Sequence, residues 1–178
     1  MNRRSAVKQV LFVSAGALIL PACLQDKATL TFTNLSLTGS QEKMLAALSA
    51  AIIPTTSDFM GAAEVKAHQF ALMMIDECEG PEVQKKFTEG FRDFEKLVDK
   101  QYNKTFDSLD KNQSKELLDK LESKTGIPEP VQAFYQAFKK YTIQAFTSSD
   151  KYMTNVRKYK MVPGSNFKGC VPVVAKSS

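Results

Sequence analysis

Between residues 38 and 158 apolar side chains recur every three or four positions, the period of helices that bury one face. Met44, Leu45, Ala47, Leu48, Ala51 and Ile52 form the first stripe. Thr38-Gly39-Ser40-Gln41 ahead of it has the form of a capping box, a threonine cap with a glutamine three residues on. Pro54 ends this helix, because the residue before a proline is pushed out of the helical region. A second helix is expected from about Ala63 to Cys78, with Ala67, Phe70, Ala71, Met74, Ile75 and Cys78 on one face. Gly80-Pro81 is a break followed by a start, since proline suits the first helical position. The third helix runs from about Glu82 to Tyr102. Val83, Phe87, Phe91, Phe94 and Val98 lie on one side of it, and Lys, Glu, Asp and Gln on the other.

Asn103 to Leu109 reads as a connection that plugs Phe106 and Leu109 into the core. Asp110, with Gln113 three residues later, caps a short fourth helix whose Leu117, Leu118 and Leu121 face inward. Gly126 and Pro128-Glu129-Pro130 end it and begin a fifth, from about Val131 to Phe146. Phe134, Phe138, Tyr141 and Ala145 make one row there, and Tyr135, Thr142 and Phe146 a neighbouring one. A helical turn is expected near Asp150 to Arg157. The pattern predicts an all-α fold, a single domain of about five helices.

The flanks do not follow this period. Residues 159–178 hold two prolines and two glycines between Val162, Phe167 and Val171, and read as an irregular, extended C-terminal arm. Residues 23–37 are polar with alternating threonines and read as a tether, disordered for most of its length. Residues 1–22 read as an export signal. Arg3, Arg4 and Lys8 precede an apolar run from Val10 to Leu20, with no acid before Asp26. That run is too short to span a bilayer as a mature anchor. The arginine pair fits a twin-arginine signal, which exports folded proteins. Leu20-Pro21-Ala22-Cys23 resembles a lipobox, with Cys23 as the acylated first residue of the mature chain.

Charge changes the picture once the signal is set aside. The whole chain has 24 basic and 19 acidic residues. Without Arg3, Arg4 and Lys8 the balance is 21 against 19, a net of +2. No basic stripe interleaves with aromatics, so the pattern gives no reason to expect a nucleic-acid partner. With Cys23 lipidated, Cys78 and Cys170 remain in an oxidising compartment. They can form one internal disulfide, the preferred reading, or each can bond a partner.

Candidate chemistry is sparse. His68 is the one histidine, on the flank of the second helix, and reads as a surface or satisfied residue. The chain has no CxxCH for covalent haem and no GxGxxG for a dinucleotide. Acid pairs such as Asp76-Glu77 read as a solvated helix face. The aromatic rows of the fifth helix read as core before they read as a quinone or haem groove. No catalytic, cofactor-binding or metal residues are therefore assigned. A free-standing helical lipoprotein binding a small ligand is the alternative class of function. An enzyme built on His68 and a carboxylate is a third.

Several stretches together resemble the gluconate 2-dehydrogenase subunit 3 family. They are the Arg3-Arg4 signal, Ala51-Ile52-Ile53-Pro54-Thr55-Thr56, and Phe106-Asp107-Ser108-Leu109. Phe146-Thr147-Ser148, Val162-Pro163-Gly164 and Gly169-Cys170-Val171-Pro172 complete the set. The resemblance implies a non-catalytic small subunit. Its partner would be a flavoprotein of the glucose-methanol-choline oxidoreductase type, which holds FAD and oxidises a sugar or sugar acid. Electrons would pass to a cytochrome c or to the quinone pool. It also implies that the small subunit's signal carries a signal-less flavoprotein through the membrane to the periplasmic side, where a lipid on Cys23 anchors the pair. The tail residues Pro163, Gly164, Phe167, Gly169 and Cys170 are the expected partner contact.

Overall fold

The computed structural model describes residues 28–159. Six α-helices and one 3-10 turn make up these residues: α1 Gly39–Ile52, α2 Ala67–Cys78, α3 Pro81–Tyr102, the turn Phe106–Ser108, α4 Lys111–Ser123, α5 Glu129–Thr147 and α6 Asp150–Asn155. No strand occurs among the described residues, and the all-α single domain stands.

Local sequence sets most of the boundaries. The Thr38 hydroxyl accepts the Gln41 amide at 3.3 Å and Gln41 Oε1 accepts the Thr38 amide at 3.1 Å, so the capping box starts α1. Asp110 Oδ1 accepts the amides of Asn112 and Gln113, both at 2.9 Å, and Gln113 returns the bond to start α4. Ile53, ahead of Pro54, has left the helical region at φ −129°, ψ 86°. The second helix begins four residues later than expected. Gly61 lies so close to the preceding strand of loop that a Cβ there would meet Thr55 N at 2.5 Å and Ile53 O at 2.6 Å. Ala62 then bonds back to Ile53 O at 2.8 Å, and a turn through Lys66, at φ 50°, is needed before a helix can start.

Phe134 on α5 stands at the centre of the core. Its ring lies 5.1 Å from Phe87, 5.3 Å from Phe91, 5.4 Å from Phe94 and 6.1 Å from Phe138. Phe106 plugs in from the 3-10 turn against Phe94, at 5.7 Å between rings. Such pairs add about 0.5–1.5 kcal/mol each beyond the area they bury. Gly90 on α3 lets the two helices approach, since a Cβ there would strike Pro130 O and lie 2.7 Å from Phe134 Cβ. The Tyr135 hydroxyl donates to Glu122 Oε1 at 2.6 Å and ties α5 to α4, while the Tyr141 hydroxyl donates to Glu79 between α2 and α3.

Two inward assignments and one outward one need correction. Val83 is exposed, because the first turn of α3 sends Gln84 inward instead. Gln84 Nε2 donates to the carbonyls of Ile75, Asp76 and Glu79, capping the end of α2. Cys78 is also exposed, because Ile75 and Asp76 take the inward face of the last turn of α2. Asp76 is therefore buried, where a solvated face was expected.

Candidate functional site

Asp76 organises the described part of the expected tether. Its Oδ1 accepts the amides of Asn34 and Leu35, both at 2.7 Å, and its Oδ2 accepts the amide of Thr33 at 2.8 Å. The Asn34 side chain adds a bond to the Asp76 carbonyl at 2.7 Å. Leu35 is buried in the core, and Phe32 and Leu37 pack against it. Residues 28–37 thus lie strapped across the helices rather than hanging free. Burial acts to raise the pKa of Asp76, but the three amide donors together outweigh it and hold the carboxyl below its ordinary value. A carboxylate saturated in this way is an anchor and not an acid–base catalyst.

Glu42 on α1 forms the second anchor. It is buried, and it accepts the backbone amide of Thr29 and, at 3.4 Å, the side-chain amide of Gln69. His68 Nε2 stands 3.8 Å from Glu42 Oε1, while its Nδ1 is buried without a hydrogen bond among the described residues. Desolvation lowers the His68 pKa, against the pull of Glu42, so the ring is neutral at pH 7. Neither the Thr29 amide nor the Gln69 amide is a nucleophile, so this is a histidine–carboxylate pair without a third reacting group bonded to it.

The loop after α1 is as ordered as the strap. Glu64 accepts the Thr55 hydroxyl at 2.7 Å and the Gly61 amide at 2.9 Å, closing Ile53-Pro54-Thr55-Thr56 onto Ala62. Those bonds, the Thr55 one first, lower the Glu64 pKa. Phe59 leaves the loop to meet Phe146 and Tyr152, with centroids 5.9 and 6.4 Å away.

Of the residues given a role in export, lipidation, disulfide bonding or partner contact from sequence, Cys78 alone lies in the described part. It is a free, exposed thiol with Sγ 3.9 Å from Met74 Sδ, so the expected bond to Cys170 is not formed here. Arg3, Arg4, Cys23, Pro163, Gly164, Phe167, Gly169 and Cys170 lie outside the described residues. The aromatic row of α5 is filled core. No helix among the described residues is long and apolar enough to cross a membrane. Sequence reasoning missed Asp76 and Glu42. The signal was available: Asp76 falls four residues after Leu72, and Glu42 three before Leu45, each inside an apolar stripe.

No curated protein and no solved structure gives a match to the chain. The family model described as gluconate 2-dehydrogenase subunit 3 matches residues 39–164, more than two thirds of the sequence. That span starts with α1 and takes in the Pro54 loop, the aromatic core and α6. The chain belongs to the gluconate 2-dehydrogenase subunit 3 family.

Proposed function

We propose that this chain is a non-catalytic accessory subunit that escorts and anchors a flavin-dependent dehydrogenase oxidising a sugar or sugar acid. The observation that carries this reading is the family match over residues 39–164. Family membership supports the coarse statement, a subunit of a multi-subunit dehydrogenase complex. The finer roles rest on the N-terminal sequence. Arg3 and Arg4 head a signal of the kind that passes folded proteins, so a bound flavoprotein could cross with this chain. FAD belongs to that partner. Its electrons leave toward a cytochrome c or a quinone.

The strap gives the anchor a mechanical meaning. From Cys23 to Ala28 the chain spans at most about 18 Å when extended. Among the described residues, Thr29 is the first bonded to the helical body, through Glu42. A lipid on Cys23 would therefore hold the body close to the membrane surface instead of on a long leash.

The test is affinity purification of the tagged chain from detergent-solubilised membranes. The reading expects a flavoprotein in the eluate, seen by its flavin absorbance and identified by mass spectrometry as a dehydrogenase encoded without its own signal. Recovery of the chain with no flavoprotein would refute it.

A further inference from the structure

The head of the strap and α6 lie at one end of the bundle, the end at which α2 begins. The strap meets it through Thr29, held by Glu42 beside His68 in the first turn of α2. α6 meets it through Tyr152, whose ring lies 6.4 Å from Phe59 and 5.4 Å from Phe146. Lys151 of α6 is close enough to Glu64, in the loop ahead of α2, to help keep that carboxylate charged. Ala62, Ala67 and Ala145 form a small core between these parts. α5 leads away from here: its last turn is at this end, and its first residue, Glu129, is about 27 Å off.

Two large side chains stand outside at this end, Val156 at 48% and Tyr159 at 55% exposure. They are held there. The amides of Val156 and Arg157 bond to Tyr152 O at 2.9 and 3.1 Å, and the Tyr159 amide bonds to Met153 O at 2.9 Å after Lys158 turns the chain at φ 52°. Lys151, Arg157 and Lys158 flank them, with Asp150 the one acid between residues 150 and 159. Lys66 is exposed nearby, as is Lys43, which shares a hollow with Thr29. None of these five bases has an ion pair among the described residues. The other exposed acids here are Asp58 and Glu64, so this end carries an excess of two positive charges.

We infer that this end of the bundle rests on an anionic lipid surface, with Val156 and Tyr159 at headgroup depth and Lys151, Arg157 and Lys158 among the phosphates. The inference deepens the anchoring reading above and rests on it. Cys23 is six residues ahead of Thr29, a reach of at most about 21 Å. That is less than the run of α5, so acyl chains on Cys23 decide which end of the body meets the membrane. The end they select is the one that presents bases, a valine and a tyrosine together. Bases are drawn to anionic headgroups, and tyrosine suits the interface with an apolar ring and a polar tip.

The experiment uses the acylated mature chain on vesicles of phosphatidylglycerol and phosphatidylethanolamine that carry a nitroxide-headgroup lipid. The chain has no tryptophan, so a single introduced one reports without background. Val156→Trp is expected to lose about half or more of its emission and to shift to the blue, and Thr125→Trp, in the loop ahead of α5, to change little. Adding Lys151→Glu/Arg157→Glu/Lys158→Glu to Val156→Trp should return most of the lost emission with the acyl anchor intact, and so should neutral phosphatidylcholine vesicles. Circular dichroism of the charge variant should stay that of the wild type, since all three side chains are exposed. Equal quenching at positions 125 and 156, or quenching indifferent to the charge reversal, overturns the inference. So does quenching at position 156 that added flavoprotein abolishes, or a blue shift that follows protein concentration without vesicles, since this end would then be a protein interface. A chain whose Cys23 carries no acyl group by intact mass, and which does not float with vesicles, has lost the anchoring reading first, and the inference falls with it.

Discussion

The carboxylate of Asp76 on α2 accepts the backbone amide of Leu35, forty-one residues earlier in the chain, at 2.7 Å. A segment with no helical period is thereby built into the fold. Asp76→Asn removes the charge and turns a donor toward the Thr33 amide. Hydrogen bonds to a buried charged group are worth about 1.5–3 kcal/mol each, so a loss of about 2–3 kcal/mol of stability is expected after relaxation. Urea unfolding measures it. Protease cleavage within residues 28–37 should also quicken. An unchanged midpoint and unchanged cleavage would show that the strap contributes nothing.

Acid should loosen the same region in two stages. His68 has a folded pKa below its ordinary value of about 6.5, so the unfolded chain takes up the proton first. Its contribution to stability is complete above that value and is lost as pH falls through the folded one. Asp76 behaves in the same direction lower down, starting below about 3.9. Unfolding midpoints of the wild type should fall between about pH 7.5 and 5, and His68→Gln should flatten that fall. Parallel curves for the two proteins would contradict the assignment.

Gly90 is required by the close crossing of α3 and α5. Gly90→Ala gains about 1 kcal/mol of helix propensity but drives a methyl group into Pro130 O and Phe134. Overpacking of a filled core outweighs that gain, and a net loss of about 1–3 kcal/mol is expected by thermal unfolding. Stabilisation by the alanine would mean that the helices are further apart than described.

Much of this fold was legible in the sequence because helices advertise themselves. Two capping boxes, Pro54, Gly80-Pro81 and the Phe87-Phe91-Phe94-Val98 stripe set element order and core. What escaped was whatever depends on a partner distant in sequence. Asp76 looked solvated because its three donors come from residues 33–35. The late start of α2 depends on Gly61 packing against Thr55. Cys78 matched the stripe by spacing, yet the last turn gave its inward side to Asp76. The candidate functional residues at the two chain ends were read from motif alone, and they lie outside the described residues.

Anchoring at Cys23 has its own check. Lipid chains supply about 0.8 kcal/mol per buried methylene, and stable attachment takes more than one chain. Cys23→Ser should release the mature protein from membranes or leave it as an uncleaved precursor. Intact-mass analysis should find the acyl groups on wild-type Cys23. An unmodified Cys23 at the mature N-terminus would contradict lipidation.

The escort role is the central claim, and export of the partner tests it most directly. Arg3 and Arg4 are replaced together by lysine, and the flavoprotein is followed by fractionation and by flavin absorbance on each side of the membrane. The account predicts that both chains remain in the cytoplasm, with the flavoprotein folded and flavin-loaded there. A flavoprotein that still reaches the periplasmic side without this chain would contradict it.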